Sequence, residues 1–229
     1  MISRTSRTLV VTACAALLAA AGCTSDGKGA PSSGLPSATD SPGLRTSAPA
    51  RASGPAPAQG TVRVTRTVAT GLDVPWGMAL LPGGDVLVSS RDTFHIHRVA
   101  RDGRRTTDAG TVPGVASNGS QGGEGGLLGL ALSPGYAADH RVYVYYSTTS
   151  DNRIAYLTYD EHAPAGRQLG TPHVVLTGIP HGLHHNGGRI AFGPDGMLYA
   201  GTGEAGHPAL AQDVTSLGGK VLRMTPAGT

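Results

Sequence analysis

Between residues 60 and 229 the apolar positions fall in short runs, broken by glycine, proline and Asp-Gly turns. One unit recurs three times: apolar-Ala-apolar-x-Pro-x, a turn, then a further apolar run. The copies begin Met78-Ala-Leu-Leu-Pro82, Leu130-Ala-Leu-Ser-Pro134 and Ile190-Ala-Phe-Gly-Pro194, with their prolines 52 and 60 residues apart. A second strand is predicted in each copy over Asp85-Val-Leu-Val-Ser, Arg141-Val-Tyr-Val-Tyr-Tyr and Met197-Leu-Tyr-Ala. A third follows at His95-Ile-His-Arg-Val, Arg153-Ile-Ala-Tyr-Leu-Thr-Tyr and Lys220-Val-Leu-Arg-Met. In the middle copy Val142, Val144 and Tyr146 should face one way and Tyr143 and Tyr145 the other, because side chains alternate along a strand. Proline suits a strand end, where no ladder donor is needed. No helical period of useful length is present in this region. Repeats of this order with several strands each are the signature of propeller blades. The expected fold is therefore all-β, an incomplete β-propeller of about three blades or slightly more; a β-sandwich with similar turns is the alternative. Propellers usually close with at least four blades, so the chain is read as a truncated form, or as one that assembles with another chain.

The first 59 residues follow a different pattern. Arg4 and Arg7 precede an apolar run from Leu9 to Ala21, which reads as a secretory signal over residues 1–22. The run is too short and bounded for a confident membrane span. It ends Ala20-Ala21-Gly22-Cys23, and small residues before a cysteine resemble a bacterial lipobox, so Cys23 is the expected lipidation site. Cys14 lies within the leader, so Cys23 is the mature chain's one cysteine, and acylation leaves no thiol for a disulfide, a metal or a nucleophile. Residues 23–59, rich in Ser, Pro, Ala and Gly, are too polar and small-sided to build a core and are expected to form a disordered tether. The globular part is residues 60–229. Loss of Arg4 and Arg7 with the leader lowers the formal charge from +3 to +1. The basic balance of the precursor is thus no argument for nucleic acid, and no basic patch with interleaved aromatics occurs. The location expected is the extracytoplasmic face of a bacterial membrane, held through the lipid on Cys23.

Chemistry concentrates in Gly182-Leu-His-His-Asn-Gly-Gly-Arg189, a glycine-flanked loop ahead of a predicted strand. His184 and His185 suit proton transfer near neutral pH. Arg189 could hold an anionic group or form a structural ion pair. His181, His184 and His185 could instead ligate a metal, although no carboxylate stands at a familiar spacing. His95 and His97 share a strand face, which solvation explains equally well. A second candidate is Ser120-Gln-Gly-Gly-Glu124-Gly-Gly, whose glycines let backbone approach a ligand; it is neither a dinucleotide fingerprint nor a Walker loop. Glu204, Gln212 and Asp213 form a third set, polar positions after an inner strand. Trp76 is expected to pack between blades.

Four blocks, taken in order, resemble the glucose/sorbosone dehydrogenases that use pyrroloquinoline quinone (PQQ). They are Gly71-Leu-Asp-Val-Pro-Trp-Gly-Met-Ala79, Glu124-Gly-Gly-Leu-Leu-Gly-Leu-Ala131, His185-Asn-Gly-Gly-Arg-Ile-Ala-Phe-Gly-Pro-Asp-Gly196 and Leu217-Gly-Gly-Lys-Val-Leu-Arg223. The resemblance implies a six-bladed propeller, PQQ and calcium as cofactors, an aldose as substrate and an external electron acceptor. It implies His185 as the general base, Glu124, His207 and Arg189 as cofactor contacts, and Glu124, Gln212 and Asp213 as sugar contacts. Ala205-Gly-His207-Pro208 departs from the glucose-oxidising members, which carry an arginine and an asparagine in this loop. A non-catalytic propeller binding sugar or protein at the cell surface and a metal-dependent hydrolase are the competing readings.

Overall fold

The computed structural model describes residues 60–229. The expected leader, tether and Cys23 lie outside the described residues. Eleven strands form three separate antiparallel sheets. The first holds β1 (Pro75–Leu80), β2 (Val86–Ser90), β3 (His95–Val99) and β4 (Thr106–Thr111). The second holds β5 (Leu127–Leu132), β6 (Arg141–Ser147), β7 (Asn152–Thr158) and β8 (His173–Ile179). The third holds β9 (Gly187–Phe192), β10 (Leu198–Thr202) and β11 (Val221–Met224). Each sheet is a meander of neighbouring strands, in keeping with the repeat. The three expected pairs of first and second strands are all present. The expected third strands are β3, β7 and β11, whereas β4 and β8 have no counterpart in the sequence pattern. One short helix, α1 (Tyr136–Asp139), links β5 to β6.

The alternation in β6 explains how the sheets stack. Val142, Val144 and Tyr146 enter one core with Leu87 and Ile96 of the first sheet. Tyr143 and Tyr145 enter a second core with Ile190, Leu198 and Met224 of the third. The middle sheet is thus buried on both faces, and its strand reads as nearly continuous apolar sequence. Trp76 packs at the margin of the second core.

Contact between successive sheets runs through their first strands, β1 to β5 and β5 to β9. Glycine makes this approach possible. A Cβ on Gly77 would strike the Leu128 carbonyl and lie 2.9 Å from the Leu130 amide, and one on Gly129 would strike the Gly188 carbonyl. At both places the ladder to the second strand shifts register, between Pro75 and Met78 and between Leu127 and Leu130. The freed amide of Gly77 donates to Ser89 Oγ at 2.8 Å, and that hydroxyl donates to the Leu128 carbonyl at 2.6 Å. A buried serine therefore joins the two sheets where neither ladder can satisfy the backbone.

Candidate active site

His185 sits just before β9 with φ 57°, a left-handed conformation uncommon for a residue with a Cβ. Its backbone is fixed on both sides. The amide donates to Glu124 Oε2 at 2.8 Å, and the carbonyl accepts from the Ala205 amide at 3.0 Å. Glu124 reaches it from the glycine-rich stretch before β5, which is itself tied to the histidine loop by its amide on the Leu183 carbonyl, 2.8 Å. The next residue, Asn186, is 1 % exposed and anchors the loop inward. Its Oδ1 accepts from Asn152 Nδ2 at 3.1 Å and from the Gly182 amide at 3.0 Å, while its Nδ2 donates to the Gly182 carbonyl at 2.8 Å. Its own carbonyl accepts from the Tyr145 hydroxyl at 2.8 Å. Strain of this kind persists where surrounding bonds over-determine the backbone.

The side chain of His185 is 61 % exposed, so a substrate can reach the ring. Its Nδ1 is hydrogen-bonded to Glu204 Oε1, from the loop after β10. Glu204 Oε2 accepts from the Gly206 amide at 2.6 Å. That backbone donor first, and the His185 ring after it, hold the Glu204 carboxyl below the usual range, against an opposing effect of desolvation. With Nδ1–H donating to a carboxylate, Nε2 is left as the acceptor facing solvent, the tautomer a general base requires.

The structure thus brings Glu124, His185 and Glu204 together, with His207 close by through its amide on the Glu204 carbonyl, 2.9 Å. His184 turns aside, its Nε2 lying 3.2 Å from the Gly122 carbonyl. Among the described residues, no three His, Cys, Asp or Glu side chains are placed to hold a metal, which removes support from the His181–His184–His185 metal reading. Arg189 makes no ion pair among the described residues; its guanidinium lies 4.5 Å above the Trp76 ring, joining the first strands of the first and third sheets. Stacking occupies the face of the guanidinium and leaves its edge donors free. Gln212 caps the turn Pro208–Ala211 through its amide, and Asp213 Oδ1 accepts from the amide and hydroxyl of Thr215 at 2.9 and 2.7 Å. These two are engaged locally, and neither is hydrogen-bonded to His185. The partnership of Glu204 with His185 was missed in the sequence. It follows from the hairpin: Gly201 pairs with Arg189 and Thr202 with Gly187, so two residues further on Glu204 stands opposite His185.

Comparison with known proteins agrees with the fold and the blocks. The family model for glucose/sorbosone dehydrogenases matches residues 72–229, and the chain belongs to that family. It is 63 % identical to the PQQ-bound aldose sugar dehydrogenase of Streptomyces coelicolor, with a TM-score of 0.71, over 75 % of this chain and 50 % of that one. It is 30 % identical to the aldose sugar dehydrogenase YliI of Escherichia coli, over 69 % of this chain and 42 % of the relative. Quinoprotein glucose dehydrogenase B of Acinetobacter calcoaceticus is 26 % identical, over 64 % of this chain and 32 % of its own length. The chain spans half or less of the length of these relatives.

Proposed function

We propose that the chain carries the proton-abstracting part of an extracytoplasmic aldose sugar dehydrogenase that uses PQQ, and that its three sheets are blades of a six-bladed propeller. The observation carrying this reading is the exposed His185 ring, held at Nδ1 by Glu204 and at its backbone amide by Glu124. The residues fit the proton-handling part of such chemistry well. They fit the anchoring of a tricarboxylate less fully: Arg91 is committed to Asp92 and Lys220 Nζ to backbone carbonyls, which leaves the edge of Arg189 and the His207 ring as candidate donors. PQQ, when bound, supplies the two-electron acceptor. Nε2 of His185 takes the hydroxyl proton of the aldose as its carbon loses a hydride. Glu204 keeps the ring in the accepting tautomer and stabilises the imidazolium that forms. Glu124 fixes the backbone from which the ring projects and presents an acceptor to the sugar hydroxyls. Gln212 and Asp213 would act as outer sugar contacts. Among the described residues no three carboxylate or imidazole side chains are placed to hold a calcium ion.

The test is dye reduction by the purified protein with PQQ, calcium, an external acceptor and a panel of aldoses. Turnover should require the quinone, and His185→Ala should lower it by about 10²–10⁴-fold. Turnover indifferent to His185→Ala overturns the assignment. Sugar binding without any turnover would favour a non-catalytic propeller at the cell surface. On the same reading Cys23 bears the lipid anchor: labelled fatty acid should enter the wild-type protein in a bacterial host, and Cys23→Ser should release an unlabelled protein from the membrane fraction.

A further inference from the structure

A polar cavity lies at the other end of the strands. His185, Glu124 and Glu204 all stand before a first strand or after a second strand. The turn between β1 and β2, helix α1 and the connection after β7 stand at the opposite ends of those same strands. There a cavity of about 270 Å³ opens between the first and second sheets. Arg98 of β3 lines it, with Nε donating to Asp85 Oδ2 at 2.6 Å and Nη1 lying 3.2 Å from Glu161 Oε2. The Asp85 Oδ1 is taken by the Arg101 amide at 3.0 Å. Leu81 and Pro82 supply an apolar floor. Tyr136 and His140 form an aromatic wall, their rings 5.6 Å apart and tilted by 53°. His140 holds that place with φ 50°, again a left-handed conformation in a residue bearing a side chain.

The chemistry of the lining selects its ligand. Arg98, Asp85, Glu161, Tyr136 and His140 all line the cavity, so side chains able to donate and to accept are both present at its wall. Burial pushes the Tyr136 hydroxyl up to about 12, which keeps it protonated and able to donate. Behind these groups the Tyr159 side chain, 1 % exposed, lies next to Arg98, yet no hydrogen bond of good geometry reaches its hydroxyl. Two carboxylates against one guanidinium disfavour an anion, and a cation would compete with Arg98 for both carboxylates. The volume falls just below the roughly 300–1,000 Å³ of drug-sized pockets, which suits a single ring.

We propose that this cavity is a binding site for a neutral, hydroxyl-rich ring of monosaccharide size, separate from the His185 site. Arg98 and Glu161 bracket vicinal hydroxyls, and the Tyr136 ring packs on the C–H face of the sugar. The site is independent of the dehydrogenase reading, because nothing in it requires electron transfer.

The probe is methyl α-glucoside, whose blocked anomeric hydroxyl prevents oxidation at that carbon. Calorimetric titration of the full chain should show binding in about the millimolar range that persists in His185→Ala. Tyr136→Ala and Glu161→Gln should each weaken it by about tenfold. Glu161 is 45 % exposed, so the conservative Glu161→Gln change tests the site without threatening the fold. The proposal is overturned if wild type does not bind the glycoside. It is also overturned if His185→Ala removes binding while Glu161→Gln and Tyr136→Ala leave it intact. Inorganic phosphate or methylammonium binding at the cavity in place of the glycoside would equally overturn it. Aldose oxidation is read separately, so loss of either function leaves the other measurable.

Discussion

Two carboxylates place His185 between them, Glu124 holding the main chain and Glu204 holding the ring. Glu204→Gln preserves size but removes the negative charge that favours the imidazolium. Turnover in the quinone assay should fall by about 10–100-fold, because a neutral partner no longer stabilises the imidazolium that forms as the proton is taken. Unchanged turnover would assign Glu204 to loop structure alone. The histidines were legible as candidates because glycines flank them and a strand follows. Glu204 was legible only as a polar loop position, since its role depends on hairpin register rather than on neighbouring sequence. Arg189 shows the opposite case: its charge suggested an ion pair, and the aromatic partner came from a strand more than a hundred residues earlier.

Among the elements, first and second strands were readable because one or both of their faces enter a core. The outer strands β4 and β8 were not, because most of their positions are exposed or half-buried and carry no clear alternation. Gly77 and Gly129 occupy equivalent places in the repeat, just before its apolar-Ala-apolar run, and both serve the approach of the next sheet. The third copy has Arg189 at that place, and there the chain meets the Trp76 ring instead. Ser89 is fully buried between the first two sheets. Ser89→Ala would leave the Gly77 amide and the Leu128 carbonyl without their partner, at a cost of about 2–3 kcal/mol. Urea unfolding should show a lower midpoint at unchanged slope; an unchanged midpoint would mean that water replaces the hydroxyl.

For the molecule as a whole, acid should be the weak side. The Arg101 amide, followed by the Arg98 side chain, holds Asp85 below the ordinary carboxylate value. Arg91 does the same for Asp92, helped by Ser117. A group whose pKa is depressed by folding stabilises the fold fully above its unfolded value and ceases to do so as pH falls through its folded value. Urea midpoints should therefore hold from about pH 7 to 5 and decline below about pH 4. Asp85→Asn should lower the midpoint at neutral pH and flatten that decline. The stacked-sheet plan was legible from the repeat, whereas the cavity around Arg98 was not, because its polar groups come from four separate connections and strands.

The anchoring of Asn186 has a consequence for motion. The bonds that hold the histidine loop come largely from the neighbouring sheet, through Tyr145, Asn152 and Glu124, so the loop has little freedom to open by itself. In hydrogen–deuterium exchange the amides of Glu124, Gly182, His185 and Ala205 should become labelled together, at a rate set by separation of the second and third sheets. The base would then be as long-lived in its working geometry as the seam between two sheets, and a substitution deep in that seam would be felt first as a faster-exchanging active site.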